Sequence, residues 1–152
     1  MMIENTEIEK YAEMSHNNCK KHFKNSINAR RWKNTLDFAA SFISATVSLV
    51  MPLLALSGSD SMTIAIVGNC FVFSNVIIAA LQKTYGFVTL EFIHGHLSTE
   101  FSQIESEFRN CQRRNSTGEY NDVEKLIIKF QGICARSNIQ GVKDCNLCCC
   151  HN

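Results

Sequence analysis

FAASFISATVSLVMPLLALSGSDSMTIAIVGNCFVFSNVIIAALQ, running from Phe38 to Gln82, decides how this chain is built. Asp60 is its one charged residue, with twenty-two uncharged residues on either side, Phe38–Ser59 and Ser61–Gln82. As α-helix at about 1.5 Å per residue, each half reaches roughly 33 Å, enough for a bilayer hydrocarbon core of about 30 Å. Ser57-Gly58-Ser59-Asp60-Ser61 supplies the only turn chemistry between them. A chain that leaves water through one such segment and returns after five residues must form an antiparallel hairpin. The expectation is an all-α integral membrane protein: two transmembrane helices in a hairpin, with cytosolic amphipathic helices on either side.

The composition hides this. The chain has 152 residues, 45% of them hydrophobic, and a mean hydropathy of −0.06, as in a water-soluble protein, because polar arms dilute the apolar centre. The reading divides it into a basic amphipathic helix (1–35), the two-span hairpin (36–83), an extension of the second span (84–114), a further helix (115–138) and a Cys-rich tail (139–152). Neither arm is long enough to suggest a separate domain with a pocket.

Charge sets the topology. Lys20, Lys21, Lys24, Arg30, Arg31 and Lys33 approach the first span with no acid among them, whereas the Ser57–Ser61 turn has neither Lys nor Arg. Basic residues near a span stay cytoplasmic, so both termini are expected in the cytosol and the turn on the far side. About 35 hydrophilic residues precede the first apolar run, which argues against a cleaved signal peptide and for an uncleaved anchor. The same basic run could attract nucleic acid. Juxtamembrane Lys and Arg drawn to anionic headgroups, at about 1 kcal/mol each, account for it more simply. Lys20, Lys21, Lys24, Arg30, Arg31 and Lys33, with Trp32 at headgroup depth, are therefore the expected lipid-headgroup residues, and no nucleic-acid partner is expected.

Each span carries a stripe of small and polar residues. Ser41, Ser44, Ala45, Ser48 and Ala55 share one side of the first; Gly68, Asn75, Ala79 and Gln82 recur on the second. Small side chains let backbones approach, and polar ones hydrogen-bond across a helix contact. Ser41, Ser44, Ser48, Gly68, Asn75 and Ala79 are thus expected either to pack helices together, within the chain or between copies, or to line a pore built by several copies. Pro52 should bend the first span.

Beyond Lys83 the apolar spacing continues as Leu90, Leu97, Phe101, Ile104 and Phe108, with His94 and Cys111 in register, steps of three and four that mark a packed helical seam. The second span should therefore run on as one long helix ending near 110–114, weakened locally at Gly86 and Gly95, and a kink at Gly86 would fall at the interface. Val123, Ile127, Phe130 and Cys134 give the next helix an apolar face, and Ser116 or Thr117 could cap it. Ile8, Tyr11, Ala12, Cys19, Phe23 and Ile27 make a weaker face before the hairpin. Together these helices suggest a small cytosolic bundle able to dock a protein partner.

Nothing in the sequence points to catalysis. His94 and His96 are about 200° apart on a helix, so their rings diverge, with His94 in the seam and His96 in water. Cys145, Cys148 and His151 offer zinc-ligand chemistry, but Cys148, Cys149 and Cys150 are adjacent, without the separated ligand pairs of a closed site. Reversible S-acylation of Cys145, Cys148, Cys149 and Cys150 suits a membrane-adjacent tail better, and an incidental Cys-rich end is the remaining alternative. Asn115-Ser116-Thr117 is a glycosylation sequon that the predicted topology keeps silent. No cofactor and no enzyme activity are expected.

The layout resembles the SLATT family, the two-transmembrane effector domain associated with SMODS and SLOG proteins. The resemblance rests on Ala29-Arg30-Arg31-Trp32, the Leu36–Leu56 span with its Ser-rich face, the Ile64–Phe87 span, and the Leu90–Phe108 helix with Phe101 and Ile104. It covers about two-thirds of the chain, Ile8 to Arg114. It implies a homo-oligomeric, pore-forming or membrane-perturbing effector without a catalytic set. Against that family's bacterial setting, a stand-alone form without a fused nucleotide-sensing or polymerase-like domain is expected, and the Cys-rich tail is a further departure. Frequent Asn suggests an AT-rich genome, such as that of a large DNA virus, and a viral or host internal membrane. In that setting the alternative is a structural anchor joining membrane to protein shell.

Overall fold

The computed structural model describes Asn5–Arg114 and Asn121–Ile139, which form four α-helices and, among the described residues, no strand. They are α1 (Asn5–Leu56), α2 (Ser61–Tyr85), α3 (Phe87–Arg114) and α4 (Asn121–Ile139). The 115–120 link, with its sequon and proposed cap, and the tail with Cys145, Cys148, Cys149 and Cys150 lie outside the described residues.

The basic arm and the first apolar span form one continuous 52-residue helix, α1. Its sequence contains no Gly, and its only Pro is Pro52, so nothing before the last turns can break it. Its stop is chemical. Gly58 adopts φ +73°, Ser59 N donates to Leu54 O at 3.2 Å, and Gly58 N donates to Ala55 O at 3.4 Å. Those two bonds and a left-handed glycine make a Schellman termination. Asp60 then caps α2, accepting from Thr63 N at 3.3 Å and from the Thr63 hydroxyl. The Thr63 hydroxyl, followed by its backbone N–H, holds the Asp60 carboxyl below its ordinary value. A stop signal and a start signal two residues apart are what confine the link to the four residues 57–60.

Gly86 separates α2 from α3. Its φ of 54° is left-handed, its N–H donates to Gln82 O at 3.1 Å, and its carbonyl accepts from Leu90 N at 2.9 Å. One glycine thus closes one helix and opens the next.

The chain forms two compact units. One joins the residues up to Ser26 to those from Phe92 onward. Its core takes Ile8 and Ala12 from α1, Leu97, Phe101, Ile104 and Phe108 from α3, and Val123, Phe130, Ile133 and Cys134 from α4. Aromatic rings join the three helices: Tyr11 stacks on Phe108 at 5.7 Å, and Phe130 meets Tyr11, Phe101 and Phe108 edge-on. Outside the core, Arg136 Nη2 donates to Glu100 Oε1 at 3.0 Å, and Lys129 Nζ donates to Glu107 Oε1 at 2.7 Å. Partners seven residues apart on each helix, in opposite order, make α3 and α4 antiparallel. Exposed pairs of this kind contribute at most about 1 kcal/mol each, so they fix register more than stability.

Phe23, expected on the buried face of the first arm, is 60% exposed. The residues buried there instead are Ser15, Asn18 and His22.

The second unit, Ile27–Glu91, contains the C-terminal half of α1, all of α2 and the start of α3. Gln82 Nε2 donates to Asp37 Oδ1 at 2.7 Å. A Cβ built on Gly68 would lie 3.3 Å from the tip of Met51. These pairs are fourteen residues apart on both helices and run in opposite directions.

Candidate membrane-spanning surface

The second unit has no buried core of its own between α1 and α2: no residue of α2 is buried. Its large apolar side chains point outward. Phe38, Phe42, Leu49 and Leu53 of α1, and Met62, Ile66, Val72, Phe73 and Val76 of α2, are all exposed. Two helical stretches are long and apolar enough to cross a membrane, and no part of their most apolar windows is buried. In water that belt would be a severe aggregation liability, because monomeric soluble proteins rarely expose a contiguous apolar patch beyond a few hundred Å². It is coherent only with a non-aqueous cover.

The polar stripes divide unevenly. Gly68 and Asn75 lie on the half-covered face of α2, whereas Ser41, Ser44, Ser48 and Ala79 are exposed. The half-covered face of α1 is instead Ile43, Val47, Met51 and Leu54. Ser44 Oγ donates to Ala40 O at 2.9 Å, and Ser48 Oγ donates to Ser44 O at 3.0 Å. A hydroxyl that bonds one turn back on its own helix is satisfied in hydrocarbon without a partner. Sequence alone could not separate the two faces of α1, because Ser and Val alternate around it with similar spacing.

At the basic end, Lys20, Lys24, Arg30, Arg31 and Trp32 are exposed, and Lys21 and Lys33 are half-buried. Arg30 Nε lies 3.7 Å from Glu91. Lys20, Lys24, Arg31 and Lys33 have no carboxylate partner among the described residues.

The first unit contributes a second feature, which sequence reading caught only by half. His94 is buried in the seam and His96 is exposed, as the helical angle requires. Facing His94 across the unit is His22, with the two Nδ1 atoms 3.0 Å apart and His22 stacked on Phe101 at 5.5 Å. One step along, Ser98 Oγ donates to Cys19 O at 3.2 Å and lies 3.6 Å from Cys19 Sγ. An Nδ1–Nδ1 contact needs one protonated and one bare nitrogen, so the pair takes complementary tautomers or a single shared charge. No group of three or more metal-ligating side chains is assembled among the described residues. The seven-residue recurrence of Ile8, Ser15, His22 and Ala29 on α1 was the readable signal for His22.

Nearby, His16 Nδ1 and Arg109 Nε bond Glu105 at 3.0 and 2.8 Å. Burial raises the Glu105 carboxyl, but the hydrogen bonds from His16 and Arg109 outweigh it, and the group lies below its ordinary value.

The histidine pair is expected to be structural. His94→Leu should destabilise the first unit by about 1–3 kcal/mol, because it strips a buried nitrogen of its partner. His22→Phe with His94→Leu should cost less than the two single changes added together. Denaturant unfolding of the four proteins measures this, and strict additivity would mean that the contact carries no coupling.

No family model, curated protein or solved structure matches this chain.

Proposed function

We propose that this chain is a non-enzymatic integral membrane protein whose apolar helices form a two-span antiparallel hairpin. In this reading several copies assemble in the bilayer to perturb or perforate it, as the SLATT resemblance implies. The single observation that carries the membrane part is the belt of exposed Phe, Leu, Ile and Val around both long helices. The opposed order of the Asp37–Gln82 and Met51–Gly68 contacts supports the hairpin. The stripe of Ser41, Ser44 and Ser48 supports assembly through its small side chains rather than its hydroxyls, two of which bond back on their own helix: it is left outside the contact between α1 and α2, where another copy or a water-filled lumen can take it. By the charge rule the termini are cytosolic and the Gly58 turn is on the far side.

A second reading follows from the first unit. Its three helices make a bundle with a real core, a form suited to docking a protein partner while the hairpin serves only as an anchor. Reconstitution of the full chain into dye-loaded liposomes separates the two. The pore reading expects dye release that rises with protein density and falls on Ser44→Leu with Ser48→Leu. Sealed vesicles that contain folded, carbonate-resistant protein would discard the pore and leave the anchor.

A further inference from the structure

Within the second unit, Trp32 and Leu36 of α1, Leu81 and Tyr85 of α2, and Phe87 of α3 line a groove of about 360 Å³. Its shape depends on Gly86. In a continuous helix, residues two apart point about 160° away from each other, so Tyr85 and Phe87 could not share a wall. The left-handed turn at Gly86 breaks the helix between them, and the two rings stack at 5.6 Å. The walls are almost wholly apolar, and the volume lies within the range of about 300–1,000 Å³ typical of small-molecule sites.

The groove lies at one end of both apolar segments. Its mouth carries Trp32 and Tyr85, 60% and 58% exposed, the amphipathic rings that favour headgroup depth. Arg31 precedes Trp32 in α1 and is exposed, with no carboxylate partner among the described residues, in contrast to Arg30 with Glu91. A guanidinium left free of protein carboxylates on the residue preceding a groove wall is complementary to the phosphate of a lipid whose acyl chain fills that groove.

We propose that this groove is a discrete binding site for one anionic phospholipid, with an acyl chain between Trp32, Leu36, Leu81, Tyr85 and Phe87 and the phosphate on Arg31. The inference rests on the membrane reading above and adds selectivity to it: general solvation by surrounding lipid would not distinguish headgroup charge at this position.

Trp32 is the only tryptophan in the chain, so its fluorescence reports on this groove alone. The full chain is reconstituted in phosphatidylcholine, and phosphatidylglycerol or phosphatidylcholine brominated on its acyl chains is added at a few mole per cent. The expected result is saturable quenching of Trp32, several-fold stronger for the anionic lipid. Arg31→Gln should bring the anionic curve down to the neutral one, and Leu36→Phe, which narrows the groove without touching charge, should weaken the excess. Superimposed curves for the parent protein, or an excess that survives Arg31→Gln, overturn the site while leaving the membrane reading intact. Absence of quenching by either lipid overturns both.

Discussion

Phe130→Ala is expected to release α4 from the first unit. Phe130 is fully buried, and its ring lies 5.8 Å from Tyr11, 5.9 Å from Phe101 and 6.4 Å from Phe108, so it holds together all three helices of the bundle. Truncating such a ring costs about 3–5 kcal/mol, against a total stability of about 5–15 kcal/mol for an ordinary domain. α4 has nineteen residues, and an isolated helix of that length is marginal in water, so packing rather than propensity holds it folded. Limited proteolysis of the reconstituted protein should therefore open the 121–139 segment in Phe130→Ala, and on the membrane reading proposed above the apolar segments should stay protected. Ile128→Ala is the control: Ile128 is 62% exposed on the same helix, and its truncation should move stability by no more than about 0.5 kcal/mol. Equal protease sensitivity of the two variants would mean that the aromatic cluster does not hold the bundle.

What could be read in the sequence follows the chemistry of each heptad. On α3 the buried positions His94, Phe101 and Phe108 recur every seven residues, alternating with Leu97 and Ile104, and all but one are strongly apolar. That face was legible for this reason. On α1 the same period places Ile8, Ser15, His22 and Ala29 inward. A reading that ranks residues by hydrophobicity finds Ile8, Tyr11, Ala12 and Cys19 but prefers Phe23, the larger side chain one position away, to His22. Ser15 is tolerated inside because its hydroxyl donates to Tyr11 O at 2.8 Å, and His22 because His94 faces it. On α4 the period gives Val123, Phe130 and Ser137, of which the last escaped notice for the same reason.

The helix boundaries followed another rule. The stop at Gly58 was legible because glycine is the residue that occupies a left-handed position without penalty, whereas Gly86 was legible only as a local weakening of one long helix, because the apolar spacing runs on past it. The continuity of α1 was not, because the change from basic arm to apolar segment is a change of solvent preference, and the backbone takes no account of it. The groove was hidden for a different reason. Trp32, Leu36, Leu81, Tyr85 and Phe87 have no shared period; they meet only because α1 and α2 pair in opposite order and Gly86 turns the chain.

Val72→Arg is expected to weaken membrane insertion by about 3 kcal/mol, close to a hundredfold in the insertion equilibrium. Val72 lies midway along the apolar stretch of α2 and is 62% exposed. If α2 stands in hydrocarbon, a guanidinium at this depth must be stripped of water or reach far along the helix for it. If α2 stands in water, the same change is harmless, because Arg is a better helix former than Val and an exposed site makes no demand on packing. The two environments therefore predict different magnitudes, and in practice opposite signs, from one substitution. Thr84→Arg supplies the depth control. Thr84 is exposed near the end of α2, where a long side chain reaches the headgroup region and keeps its charge wet. The carbonate-resistant fraction should fall for Val72→Arg and hold for Thr84→Arg. Equal fractions for both, with thermal stability unchanged in aqueous buffer, would place the apolar belt outside a bilayer and would require another cover for it, such as further copies of the chain.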